Sequence, residues 1–205
     1  MDFRLYLVTD RTQTGGRPLV EVVEECLAAG LRAVQLREKD LPDAEFISLA
    51  RSLSDITRRV GARLFINGRL DAALAVGADG LQRGHDAPPV GALRSRASGL
   101  SIGASVHSID EARAAEGDGA DFIVFGPVYD TPSKRPYGPP QGVDALANVV
   151  KVVSIPVLAI GGITAGRVAA VRAEGAHGVA VISAILGAEH PGEATKQFIE
   201  ALETR

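Results

Sequence analysis

Three stretches of this chain combine residue types that can hold an anion. The first is Gln35-Leu36-Arg37-Glu38-Lys39. Read as the end of an extended strand, its alternation carries Gln35, Arg37 and Lys39 to one side. Two cations beside an amide suit a diphosphate, or a phosphate with a polar neighbour; the other reading is a surface charge cluster paired with Glu38 and Asp40. The second stretch runs from Thr131 to Pro140 and holds Ser133, Lys134, Arg135 and Tyr137 among prolines and a glycine. It is either a lid over an anionic ligand or a surface loop. The third is Gly161-Gly162-Ile163-Thr164, with Ser183-Ala184-Ile185 further on. Paired glycines let backbone amides approach an anion closely, although they can equally make a tight turn. Among the four histidines, His107 and His85 each follow a strand candidate and could carry protons near neutral pH. Asp10 also ends an apolar run, where it is either catalytic or a loop-bracing cap.

Chemistry at these positions needs elements that bring them together. Short apolar runs alternate with amphipathic segments from end to end. The strand candidates are Leu5–Thr9, Ala33–Arg37, Arg63–Asn67, Gly80–Gln82, Ser101–Ser105, Phe122–Gly126, Val157–Ile160 and Val179–Ser183. Several are continuously apolar, as parallel strands buried on both faces are. Leu19–Ala29, Ala44–Arg59, Ile109–Glu116 and Ala165–Ala173 read as helices between them. A weak repeat, in which Gly30, Gly77, Gly119 or Gly175 ends a helix before an apolar run, supports βα units. Eight units of about 25 residues fill 205 residues, so the expected fold is a single (β/α)8 TIM barrel spanning 1–205, with an open doubly wound sheet as the alternative. In such a barrel the loops after the strands form the active face, and those after strands 7 and 8 hold phosphate. That topology places Arg37, His85, His107, Gly161, Gly162 and Ser183 together. It assigns His177 to the opposite, structural face, and His190, before Pro191, to a helix start.

Composition narrows the partners. A formal net charge of -3 offers no attraction to nucleic acid or an anionic membrane. Without tryptophan and with 4% aromatics there is no platform for stacking bases. Cys26 is the only cysteine and falls on an apolar helical face, so it reads as packing in a cytoplasmic protein. No apolar run approaches a membrane span, and no signal peptide is apparent.

In order along the chain, Tyr6-Leu-Val-Thr-Asp10, Val34-Gln-Leu-Arg-Glu-Lys39, Phe65-Ile-Asn-Gly-Arg69, Ser105-Val-His107, Gly126-Pro-Val128 with Thr131-Pro-Ser-Lys134, Ala159-Ile-Gly-Gly-Ile163 and Val181-Ile-Ser183 resemble the thiamine phosphate synthase superfamily. The resemblance implies a thiamine-pathway barrel acting on a small phosphorylated thiazole, with a homodimer as the expected assembly. In the synthases of that superfamily, a pyrimidine methyl diphosphate is joined to thiazole phosphate, with magnesium assisting release of diphosphate. The resemblance puts the diphosphate on Gln35, Arg37, Lys39, Asn67 and Lys134 with Ser105 nearby. It puts the thiazole phosphate on Thr131, Ser133, Gly162 and Ser183, beside Gly161 and Ile182.

The sequence departs from the synthase pattern at the two magnesium ligands. The aspartate that follows the asparagine after strand 3 is Gly68 here. The second stands at the end of a His-hydrophobic-Gly-Gln-acid-Asp run, which reads Gln82-Arg-Gly-His-Asp-Ala87 in this chain. Neither Gly68 nor Ala87 can coordinate magnesium, which wants carboxylate oxygen; Asp86 is an adjacent substitute. These losses, with the Asn67-Gly68-Arg69 and Ile102–Ala112 stretches, point to the metal-free thiazole tautomerase branch, in which His107 would shuttle the proton and no cofactor is needed. The synthase, with magnesium, is the alternative that Gln35, Arg37 and Lys39 favour, and a non-catalytic phosphate-binding regulator is a third.

Overall fold

A computed structural model describes residues 1–84, 87–132, 135 and 138–204. Eight strands form one closed parallel barrel in sequence order: β1 (Leu5–Val8), β2 (Ala33–Leu36), β3 (Arg63–Asn67), β4 (Gly80–Arg83), β5 (Ser101–Val106), β6 (Phe122–Phe125), β7 (Val157–Ile160) and β8 (Gly178–Val181). β8 returns to β1 with Tyr6 opposite Ala180. Nine helices lie between and after the strands among the described residues: α1 (Leu19–Ala28), α2 (Asp43–Arg59), α3 (Leu70–Val76), α4 (Val90–Arg94), α5 (Ile109–Gly117), α6 (Gly142–Val152), α7 (Val168–Ala173), α8 (Ser183–Leu186) and α9 (Pro191–Glu203). The closed barrel decides against the open sheet.

The apolar residues divide into two cores by strand parity. Leu5, Leu7, Val34, Leu36, Leu64, Ile66, Ile123, Phe125, Val179 and Val181 pack outward against the helices. Tyr6, Val8, Ala33, Phe65, Phe122, Val124, Leu158 and Ala180 fill the barrel interior. Both faces of each strand are thus buried, which explains the unbroken apolar runs. At the base of the interior Phe3, Tyr6, Phe65 and Phe122 meet with ring centroids 5.3–5.8 Å apart, mostly edge to face. That geometry suits the ring quadrupoles and leaves no pore.

Four strand ends fall short of their expected positions, and β6 is one of them, stopping at Phe125 before Gly126. β1 stops at Val8 because the Thr9 hydroxyl accepts a bond from the Arg37 amide, at 2.9 Å, where the ladder would otherwise continue. That crossing bond likewise takes Arg37 out of β2. β8 stops at Val181, and Ser183 opens α8. Cys26 is buried in α1, and burial pushes its thiol up to about 11, which suits packing rather than reaction. His177 lies in the loop before β8, with Nε2 3.1 Å from the Phe3 carbonyl, and His190 is the N-cap residue of α9. Both match their structural assignment.

Space inside the barrel is rationed by glycine. A Cβ at Gly80 would stand 2.3 Å from Phe65 Cε1 and 2.5 Å from the Ser101 carbonyl oxygen. Gly80→Ala is therefore expected to lower stability by about 1–3 kcal/mol, through displaced aromatic packing and backbone. Urea denaturation would show this as a lower midpoint at an unchanged slope, and an unchanged midpoint would mean the interior can repack.

Candidate active site

The site is built on the inward-facing positions nearest the strand C-termini. Strand parity brings Gln35, Asn67, Gln82 and Ser105 to one side of the mouth, on β2 to β5, with Val124, Ile160 and Ile182 opposite. Gln35 and Gln82 are buried, while Asn67 and Ser105 are partly exposed. One wall is therefore polar and the other apolar, a division that fits a ligand with an anionic end and a flat apolar body.

Beyond β2 the chain turns over the mouth. Glu38 is buried, and its carboxylate is engaged by the Arg11 amide at 3.1–3.2 Å and by the Arg11 guanidinium at 3.1 Å. Asp40 takes the other edge of Arg11 at 2.7 Å. The acidic residues of this segment are thus paired with Arg11, not with Arg37 or Lys39. This removes the reading of an internally neutralised charge cluster. Lys39, Asn67, Gly68 and Arg69 line a cavity of about 300 Å³ together with Glu38 and Phe46. Arg69 is held at the rim by Asp43 at 3.0 Å and the Leu41 carbonyl at 2.7 Å, and stacks 4.1 Å over the Phe46 ring.

Asp10 is a cap. Its carboxylate accepts from the Thr12 amide at 3.1 Å, the Thr12 hydroxyl at 2.5 Å and Gln13 Nε2 at 2.5 Å, at the start of a 3-10 turn, Arg11–Gln13. Partial burial works to raise its pKa, but the bonds from Thr12 and Gln13, with the nearby Arg37 charge, outweigh it and hold the carboxyl below its ordinary value.

His107 follows β5 beside the mouth. Its amide donates to Glu111 Oε2 at 2.7 Å, its Nδ1 lies 3.3 Å from the same oxygen, and Ser108 caps α5 by accepting from the Glu111 amide at 3.1 Å. Gln141 Nε2 also donates to the His107 carbonyl at 2.5 Å. His107 is therefore set in a helix-start network like a capping box.

The glycine pair after β7 carries the opposite rim. Gly161 and Gly162 have φ of 98° and 62°, and a Cβ would stand 2.6 Å from Pro127 Cα at the first and 2.6 Å from the Asp130 carbonyl oxygen at the second. Only glycine fits both the conformation and the close approach of the loop after β6. That loop runs alongside, with the Tyr129 amide donating to the Gly161 carbonyl at 3.0 Å. Thr131 is partly exposed and Ser183 exposed on this side. Arg135 is paired with Asp130 at 2.5–3.1 Å. His85, Asp86, Ser133 and Lys134 lie outside the described residues.

The described residues hold no donor set built for magnesium. No group of three or more His, Cys, Asp or Glu that could hold a metal occurs among the described residues. Gly68 faces open space, with nothing within 4 Å of a Cβ placed on it, and the Ala87 carbonyl accepts from Arg83 at 2.8 Å. The buried carboxylate beside this cavity, Glu38, is occupied by Arg11.

Comparison with known proteins decides the family. A family model described as Thiamine monophosphate synthase (TMP-TENI) matches residues 5–185. The chain belongs to this family. A protein of Geobacter sulfurreducens named "Putative thiamine-phosphate synthase" is 50% identical over 206 residues, covering 100% of this chain and 97% of that one. The Roseiflexus castenholzii protein named thiamine-phosphate synthase is 41% identical, over 98% of this chain and 89% of its own. A solved structure titled thiamine phosphate pyrophosphorylase from Pyrococcus furiosus superposes with a TM-score of 0.90 at 40% identity, covering 98% and 95%.

These relatives overturn the tautomerase expectation, and with it His107 as that reaction's proton shuttle. The whole-chain similarity lies with proteins named synthases. The expectation leaned on Gly68 and Ala87, with the Asn67-Gly68-Arg69 and Ile102–Ala112 stretches, and similarity along the whole chain outweighs them. Gly68 has φ 70°, a left-handed conformation that favours glycine for backbone reasons alone. Gln82 and Tyr6 complete the buried polar wall, and neither is among the site residues expected from sequence. The signal that points to Gln82 is a glutamine at an inward position of β4, between Leu81 and Arg83.

Two outcomes test this geometry. Asp10→Ala should cost about 0.5–2 kcal/mol through loss of the cap. Because the folded carboxyl titrates below its ordinary 3.8, wild-type Asp10 stabilises the fold above that pH and loses this contribution as pH falls through the lowered value. The Asp10→Ala variant should lack this part of the acid dependence, and denaturation at pH 7 and pH 3 would reveal it. Second, Gly68→Asp combined with Ala87→Asp should create magnesium affinity detectable by calorimetry; no heat in that variant would place any magnesium site elsewhere.

Proposed function

We propose that this protein is a thiamine-phosphate synthase, joining a pyrimidine methyl diphosphate to thiazole phosphate with release of diphosphate. The observation that carries the reading is similarity along the full chain, up to 50% identity, to proteins named for that reaction. The polar wall supports it as well, since Gln35, Arg37 and Lys39 have a diphosphate to hold under this reading.

In this reaction the bond between the pyrimidine methylene carbon and the diphosphate oxygen breaks, and a bond from that carbon to the thiazole forms. Negative charge grows on the departing diphosphate. Fixed cations and N–H donors aimed at that charge lower the barrier, because they bind the transition state more strongly than the intact ester. Arg37 and Lys39 supply charge, and Gln35 and Asn67 supply amide donors from β2 and β3. Arg11 keeps Glu38 and Asp40 occupied, so the positive field of the segment is not cancelled locally. On the other rim the Gly161–Gly162 turn, Thr131 and Ser183 receive the thiazole phosphate, and Ile160 and Ile182 offer apolar surface to the ring. Loop residues Ser133 and Lys134 join this set through the family resemblance. For magnesium, which the resemblance brings with the synthase reaction, no group of three or more His, Cys, Asp or Glu occurs among the described residues, and the Glu38 and Asp40 carboxylates are taken by Arg11. Arg37 and Lys39 are the charge-stabilising groups that the chain itself supplies.

Supplying the purified protein with both substrates should yield thiamine phosphate and one diphosphate per turnover. Replacing Arg37 or Lys39 with alanine should lower kcat/KM for the diphosphate substrate about 10²–10³-fold, the usual effect of removing one preorganised charge-stabilising donor. A wild-type protein that forms no thiamine phosphate, with or without added magnesium, would end this reading.

A further inference from the structure

Beneath the ligand-facing residues lies a chain of polar side chains that phosphate binding by itself does not explain. Tyr6 of β1 and Gln82 of β4 are both fully buried. The Tyr6 hydroxyl donates to Gln82 Oε1 over a long 3.5 Å. Gln82 Nε2 in turn donates to Ser105 Oγ at 3.0 Å. Ser105 is the first member of the chain to reach the mouth, where it is partly exposed.

The barrel makes room for this arrangement. Gln82 pairs in register with Gly103, two residues before Ser105 on β5. A Cβ at Gly103 would stand 2.5 Å from Gln82 Oε1 and 2.3 Å from Phe122 Cζ. Absence of a side chain at Gly103 lets the amide lie across β5 towards Ser105. Inward positions on the other wall hold Val124, Leu158 and Ile160, so packing alone does not call for a glutamine here. A buried amide left unpaired costs about 1–3 kcal/mol. Both ends of this one have partners.

The direction of the bonds matters more than their number. An amide has one accepting oxygen and one donating nitrogen. With its oxygen facing the phenol, Gln82 presents N–H to Ser105, whose oxygen accepts. The Ser105 proton is then free to point at the mouth. An anion there meets a donor instead of a lone pair.

We propose that Gln82 is a positioning residue for the diphosphate leaving group: oriented by Tyr6, it holds Ser105 as a hydrogen-bond donor towards the diphosphate. This rests on the synthase reading, and it adds to that reading two residues that need not touch substrate. The same wall serves the diphosphate end only, so the effect is selective by ligand.

The test is a double-mutant cycle read with two probes, inorganic diphosphate and thiazole phosphate. Calorimetry would be run on wild type, Gln82→Met, Ser105→Ala and the double variant, alongside KM for each substrate and melting curves. Gln82→Met keeps the volume and removes the hydrogen bonds. It should weaken diphosphate binding about tenfold, the scale of one hydrogen bond to a charged group, and leave thiazole phosphate within about twofold. In the Ser105→Ala background the same change should have no further effect on diphosphate. Tyr6→Phe, which keeps the ring packing, should show a smaller loss with the same selectivity. Equal weakening of both ligands, or a full effect of Gln82→Met without the Ser105 hydroxyl, overturns the proposal and leaves Gln82 a packing residue. Should Gln82→Met fail to fold, the selectivity of Tyr6→Phe decides in the same way. Absence of thiamine phosphate from the wild-type reaction overturns the synthase reading and the reaction role given to Ser105. Wild-type turnover with unselective losses in the variants overturns the positioning role alone.

Discussion

The closure of β8 onto β1 is the constraint on which everything else in this molecule depends. A closed parallel ladder removes both sheet edges and divides every strand into inward and outward positions. Outward side chains meet the helices, and inward ones must fill a barrel whose interior is only a few side chains wide. Phe3, Tyr6, Phe65 and Phe122 fill the base, with Gly80 and Gly103 giving them space. Above that plug the interior no longer has to be apolar, because it opens to the mouth. There Gln35, Asn67, Gln82 and Ser105 appear on consecutive strands. The polar wall is the upper layer of the same alternation that builds the core.

Charge in the site is arranged by what is kept away from it. The segment after β2 carries two acids and two bases, and in isolation they would neutralise one another. Arg11, brought over the mouth by the turn that Asp10 caps, takes both acids. Arg37 and Lys39 are then left to the mouth, and Lys39 lines a cavity whose glycine, Gly68, contributes no side chain. A cap, an ion pair and a missing carboxylate thus act together on one electrostatic field. Such a field favours an anion.

The two loop positions at Gly68 and Ala87 give a lesson about scale. They lie in the loops that follow β3 and β4, and they differ from the synthase pattern. The rest of the chain, from the outward core to the glycine pair after β7, resembles proteins named synthases. A deduction from two missing carboxylates pointed to the tautomerase branch, and the relatives named synthases overturn it. Gln35, Arg37 and Lys39 favoured the synthase alternative in the sequence, the side on which the similar proteins fall.

Much of the fold was legible in the chain itself. Strand runs buried on both faces, helix-ending glycines and a spacing of about 25 residues led to eight βα units, because periodicity is a local property that a sequence displays directly. So were the structural places of His177, His190 and Cys26, and the glycine pair at Gly161 and Gly162. What only the tertiary structure decided involves residues far apart in the chain. Arg11 reaches Glu38 and Asp40, Thr9 ends two strands at once, and Tyr6, Gln82 and Ser105 join across β1, β4 and β5. Hydrogen bonds of this kind depend on barrel register, which sets residues some 76 positions apart within bonding distance. No local pattern encodes that distance, since it exists only after the sheet has closed.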